Sequence, residues 1–133
     1  MTAEELNLSG LWKGIYSYPR LLPPNQFEAE LRDHAGVLTG ETFERGRNGA
    51  SKGLPLPAMI EGNRHGLDVR FIKHYDAFRR AGTPVHYSGT VSTDGSEISG
   101  IWDIPGQWSG TFLMIRAKGK AAVVERKIAE EVR

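Results

Sequence analysis

Residues 85–116, VHYSGTVSTDGSEISGIWDIPGQWSGTFLMIR, decide how this chain folds. Apolar and polar residues alternate along the stretch, the period of strands with one buried face. Asp94-Gly95 is a tight-turn dipeptide of the kind that favours a type I′ hairpin. Closing the hairpin there sets Val91 opposite Ile98, Gly89 opposite Gly100 and Tyr87 opposite Trp102. Every apolar pair then falls on one face, and a slip of one residue would turn them all to the other. Pro105-Gly106-Gln107 reads as a short loop into a further strand. Across it, Trp102, Ile104, Trp108, Gly110, Phe112 and Met114 keep the same face.

The same period runs upstream. Leu8 to Tyr18 puts Gly10, Trp12, Gly14, Tyr16 and Tyr18 on one face, with Lys13 and Ser17 on the other. Gln26 to Asp33 sends Phe27, Ala29 and Leu31 one way and Glu28, Glu30 and Arg32 the other. His34-Ala35-Gly36 turns the chain into Val37 to Phe43, and Glu44 to Gly53 reads as a flexible polar loop. In Leu56 to Glu61 the neighbouring Pro55 and Pro57 remove ladder donors, as at an edge or a late start. Leu67 to Tyr75 aligns Leu67, Val69, Phe71, Lys73 and Tyr75. Together these segments predict an all-β, eight-stranded up-and-down antiparallel barrel, because closure removes the sheet's own edges. Gly14, Gly89, Gly100 and Gly110 fall at inward positions, which fits the sharp coiling of a closed sheet. Strands and helices do not alternate, so a parallel α/β fold is excluded.

Lys118 to Arg133 follows a different period. Ala121, Val124, Ile128 and Val132 recur at helical spacing and predict a short C-terminal helix. Leu11, Ile15, Ile72, Ile101, Leu113 and Ile115 fall on strand exteriors, where that helix or a subunit interface would cover them.

At 133 residues the chain suits a single domain, residues 1–133. A net charge of +1 gives no reason to expect nucleic acid or an anionic membrane surface as a partner. The absence of cysteine excludes disulfides, thiolate metal sites and cysteine nucleophiles. Met1 to Asn7 lacks the basic start and apolar run of a secretory signal, and no apolar run has the length of a membrane helix. A cytoplasmic location is the expectation.

The Gly10-Leu11-Trp12 start of the first strand, the eight meandering strands and Arg116 late in the last one resemble the calycin group of lipocalins, fatty-acid-binding proteins and avidins. The resemblance implies that Trp12 and Arg116 pack together and close one end of the barrel. The tail helix looks lipocalin-like, and the glycine-rich strands with tryptophans between Ile98 and Phe112 look avidin-like. The Thr-Asp-Tyr pattern and the disulfide of typical lipocalins are absent. A fold-level likeness carries no function with it.

If Trp12 and Arg116 seal one end, a ligand belongs at the other. The candidate ligand-binding residues are Tyr16, Tyr18, Phe71, Lys73, Tyr75, Tyr87 and Trp102. A barrel of eight strands is either filled by its side chains or holds one small molecule. Inward tyrosines need partners for their hydroxyls. An inward Lys73 is costly unless paired, so it either binds an anionic head group or snorkels to solvent at the rim. Glu41 and Asp33 are candidate inward carboxylates. His74 and His86 would lie opposite each other on the outer face if the turn centres on Arg79 to Ala81. They make two metal ligands where a stable zinc site shows three or four, with Asp76, Asp103 or His65 as a third.

No nucleophile elbow is present, and Gly46-Arg47-Asn48-Gly49 lacks the strand-then-helix setting of a phosphate loop. The leading expectation is non-covalent binding of a small, partly apolar ligand inside the barrel, with no cofactor. A filled barrel acting through its exterior as a homo-oligomer is the second reading. A small-molecule isomerase or cyclase is the third.

Overall fold

A computed structural model describes residues 6–19, 23–45, 55–75 and 84–117. The expected C-terminal helix, Lys118 to Arg133, lies outside the described residues, as do Asp76 and most of the loop that follows Glu44. Eight strands run in chain order: β1 Gly10–Ser17, β2 Asn25–His34, β3 Val37–Arg45, β4 Pro55–His65, β5 Asp68–Tyr75, β6 Val85–Val91, β7 Glu97–Ile104 and β8 Trp108–Arg116. Each pairs antiparallel with the next, and β8 returns to pair with β1, closing the barrel. No helix among the described residues is long and apolar enough to cross a membrane.

The β6–β7 register is the expected one, with Val91 opposite Ile98, Gly89 opposite Gly100 and Tyr87 opposite Trp102. The turn that sets it differs. Gly95 is left-handed (φ 75°), but Asp94 is not, and a type I′ turn needs both. Gly95 N–H donates to Ser92 O at 2.9 Å, and the Asp94 carboxylate accepts from the backbone and hydroxyl of Ser96 and from the hydroxyl of Ser92. Side-chain capping by Asp94 replaces the second left-handed residue. Pro55 and Pro57 lie in the start of β4 that pairs only with β3, since pairing with β5 begins at Ala58. Their missing donors are therefore tolerated in a strand that is interior along the rest of its length.

Every second residue points inward. Phe27, Ala29, Leu31, Leu38, Ile60, Val69, Phe71, Val91, Ile98, Phe112 and Met114 fill the lower interior. Two of the inward glycines are there because a neighbour needs the space. A Cβ on Gly14 would stand 2.2 Å from the Phe27 ring, and one on Gly110 would stand 2.1 Å from Ser17 O and 2.6 Å from Trp102 Nε1. The bare Gly110 backbone lets the Trp102 indole cross β8 and donate to Ser17 O at 2.9 Å.

The closed end is built from residues 6–12 and the end of β8, with Asp33 and Arg64. Trp12 is opposite Arg116, whose guanidinium lies 4.6 Å from the indole centroid, within cation–π range. Trp12 Nε1 donates to Leu8 O at 2.9 Å. Arg116 donates to Ser9 O and Asn7 O at 3.0 and 2.8 Å, and Arg64 donates to Leu6 O at 2.9 Å. Leu6 and Leu8, in the segment so held, are buried beneath the barrel. Asp33 was expected near a pocket and instead belongs here. Its carboxylate accepts from Leu8 N–H, Gly36 N–H and Arg64 Nε at 2.8–3.0 Å. Burial works to raise its pKa, but these donors outweigh it and hold the group below its ordinary value.

Trp12→Ala is expected to destabilise by about 3–5 kcal/mol, the usual range for a buried aromatic. Arg116→Ala should cost less, through lost stacking and the three released carbonyls of Asn7, Ser9 and Gly95. Urea unfolding measures both, and a neutral Trp12→Ala would contradict this account of closure.

Candidate functional site

Four strands deliver polar side chains to one point inside the open half. β3 brings Glu44, β1 brings Tyr16, β2 brings Asn25, and β5 brings Lys73 and Tyr75. Glu44 Oε1 accepts from Lys73 Nζ at 3.0 Å and from the Tyr75 hydroxyl at 2.6 Å. Its Oε2 accepts from the Tyr16 hydroxyl at 2.5 Å and from Asn25 Nδ2 at 2.7 Å. Asn25 Nδ2 also donates to the Tyr16 oxygen at 2.6 Å. Both ions are nearly sealed from solvent, each side chain 2% exposed. Lys73 Nζ lies 4.9–5.6 Å from the ring centroids of Tyr16, Phe27, Tyr75 and Tyr87.

Burial alone would neutralise both ions. It pushes the Glu44 carboxyl up, but the Lys73 ammonium and the hydrogen bonds from Tyr16, Tyr75 and Lys73 win and hold it below the ordinary 4.5. Burial likewise works against the Lys73 ammonium. The hydroxyls of Tyr87 and Tyr75 and the Glu44 carboxylate outweigh it and keep the lysine above its ordinary 10.5. Burial raises Tyr16, Tyr75 and Tyr87, so all three hydroxyls stay protonated at neutral pH.

Above this floor lies a cavity of about 250 Å³ that opens at the rim. That is slightly below the ~300–1,000 Å³ typical of small-molecule pockets, so any occupant is small. Tyr16, Tyr18, Lys73, Tyr75, Tyr87 and Trp102 line it, joined by Val85, Ile104, Gln107 and Trp108. The aromatic rings brace one another. Tyr18 stacks on Trp108 at 5.0 Å, and Trp102 meets Tyr16, Tyr18 and Trp108 edge to face at 5.6–6.2 Å. Such contacts stiffen the wall beyond simple burial.

Six of the seven expected ligand-site residues therefore stand around one cavity. Phe71, the seventh, lies outside its lining and stacks on Tyr87 at 4.7 Å. Lys73 does not snorkel: the residue is 1% exposed and its ammonium is paired to Glu44. Glu44 and Asn25 escaped the sequence reading, which ended β3 at Phe43 and left both residues in loops. The signal was present, since Glu44 continues the inward parity of Leu38, Gly40 and Thr42. Glu41 faces outward and pairs with Arg32.

The two histidines are not opposite each other. His86 faces Ile72 on β5 and Asp103 on β7, while His74 Nε2 lies 3.3 Å from Glu61 without hydrogen-bond alignment. Among the described residues no group of three or more metal-ligating side chains forms.

Removing one ion strands the other. Glu44→Gln or Lys73→Met should each cost about 3–5 kcal/mol, and the double variant much less than their sum. The sign with pH follows from the two shifts. A depressed Glu44 stabilises above 4.5 and loses that contribution as pH falls through its folded value. A raised Lys73 stabilises below 10.5 and loses its contribution as pH rises through a still higher value. The stability difference between wild type and the double variant should be flat between those limits in denaturant titrations. In alkaline absorbance titration, Tyr16, Tyr75 and Tyr87 should show no phenolate until the barrel unfolds.

No protein-family model matches this chain, and no curated protein resembles it closely enough to count as a match. The chemistry of the site rests on its own residues.

Proposed function

We propose that this is a calycin-type barrel that binds one small, partly apolar ligand in its open half. The observation that carries the reading is the division of the interior. Below Phe71 the barrel is filled, while above Lys73 a cavity of about 250 Å³ remains, walled by braced aromatic rings. A hollow kept open by rigid side chains over a floor whose ion pair is fully hydrogen-bonded has the form of a preorganised pocket. Tyr16, Tyr18, Tyr87 and Trp102 would enclose the apolar body, and the tyrosine hydroxyls with Lys73 would orient it. Packing of Arg116 on Trp12 at the other end supports the calycin-type reading.

The oligomer reading keeps one observation in its favour. Leu11 and Ile101 are 59% and 55% exposed, and the half-buried Ile15, Leu113 and Ile115 lie beside them on the outer face of β7, β8 and β1. The isomerase or cyclase reading lacks such support, because Glu44 already accepts four hydrogen bonds and keeps no lone pair for a substrate proton.

Native mass spectrometry of the purified protein separates these readings. The expected result is a protein carrying a small-molecule adduct that is released on denaturation and is lost in Trp102→Leu. A ligand-free dimer would favour the exterior reading, and a ligand-free monomer would count against both.

A further inference from the structure

The hydrogen-bond inventory of the pocket floor is lopsided. The four bonds Glu44 accepts are the full capacity of a carboxylate. The hydroxyl hydrogens of Tyr16 and Tyr75 are spent on it, and the Trp102 indole N–H is spent on Ser17 O. The three N–H groups of Lys73 are also placed, one on Glu44 and the others facing the oxygens of Tyr75 and Tyr87. One donor remains. The Tyr87 hydroxyl hydrogen has no acceptor among the described residues, and Tyr87 lines the cavity.

Charge narrows the choice further. Lys73 and Glu44 cancel, so among the described residues an anionic head group would be buried without a net counter-charge. A cationic group would meet the Lys73 ammonium and a carboxylate with no free lone pair. The walls are ring faces and edges, which suit a flat molecule.

We propose that the pocket selects a neutral, flat, largely apolar molecule that presents a carbonyl-type oxygen to the Tyr87 hydroxyl. This rests on the ligand-binding reading above. It differs from the anionic head group that an inward lysine first suggests, because the buried carboxylate has already neutralised that lysine.

Three probes of one shape test it: methyl naphthyl ketone, isopropenylnaphthalene and naphthoate, each titrated against tryptophan fluorescence. The ketone is expected to bind about tenfold tighter than either of the others, the scale of one well-placed hydrogen bond. Tyr87→Phe, checked for an unchanged melting temperature, should remove the ketone's advantage over the alkene and leave alkene binding within a factor of about two. Equal affinities, tightest binding of naphthoate, or an advantage that survives in Tyr87→Phe would overturn the ligand class and leave ligand binding itself standing. Failure of all three probes would also overturn the class, and with no adduct in native mass spectrometry the ligand-binding reading would fall too.

Discussion

A closed sheet gives each residue two places to be, inside or outside, and the two-residue period assigns them without regard to chemistry. Pairing of β8 with β1 makes the assignment strict, because no edge is left where a strand could twist a side chain away. Lys73 follows Val69 and Phe71 on β5, and Glu44 follows Leu38 and Thr42 on β3. Both are carried inside by parity. Two ions in an apolar barrel would be ruinous alone. Together, with two tyrosines and an asparagine completing the hydrogen bonds, they form the floor that the aromatic pocket stands on.

The interior is thereby graded along its axis. The lower half is apolar and packed, with Phe71, Tyr87 and Phe112 in mutual ring contact at 4.7–6.2 Å. The ion pair sits above it, and the cavity above that. An alternative core of hydrophobic residues in place of Lys73 and Glu44 would pack without any desolvation penalty. The pair is therefore better understood through what it does to the pocket than through stability alone. It adds fixed dipoles at the cavity floor while contributing no net charge.

Much of this was legible in the sequence, for reasons that differ by element. The β6–β7 register followed from its apolar pairs and the Asp94-Gly95 turn, since a slip of one residue exposes Tyr87 and Trp102. The inward set on β5 followed from unbroken alternation. Glu44 was missed because the polar run after it, Glu44 to Gly53, looks like loop and pulled the strand boundary one residue too early. Asp33 was correctly read as inward, but alternation alone does not say which end of the barrel a position faces. His74 and His86 were placed opposite each other by centring the turn one residue too late, which shifts cross-strand partners by two. The buried Leu6 was not read at all, because it precedes the periodic segment, which was taken to begin at Leu8 although β1 starts at Gly10.

The plug beneath the barrel ties together parts of the chain that are far apart in sequence. Arg116 holds the carbonyls of Ser9 and Asn7 across separations of 107 and 109 residues, and Arg64 holds Leu6 across 58. A chain emerging from the ribosome makes its own plug segment first and the clasp for it last. Residues 6–9 thus gain partners in stages, at Asp33 and Arg64 before Arg116, and the seam between β1 and β8 is completed only with the last strand. Any shortening that removes Arg116 takes away its hold on Asn7 and Ser9 as well as the last strand's final contact with Trp12.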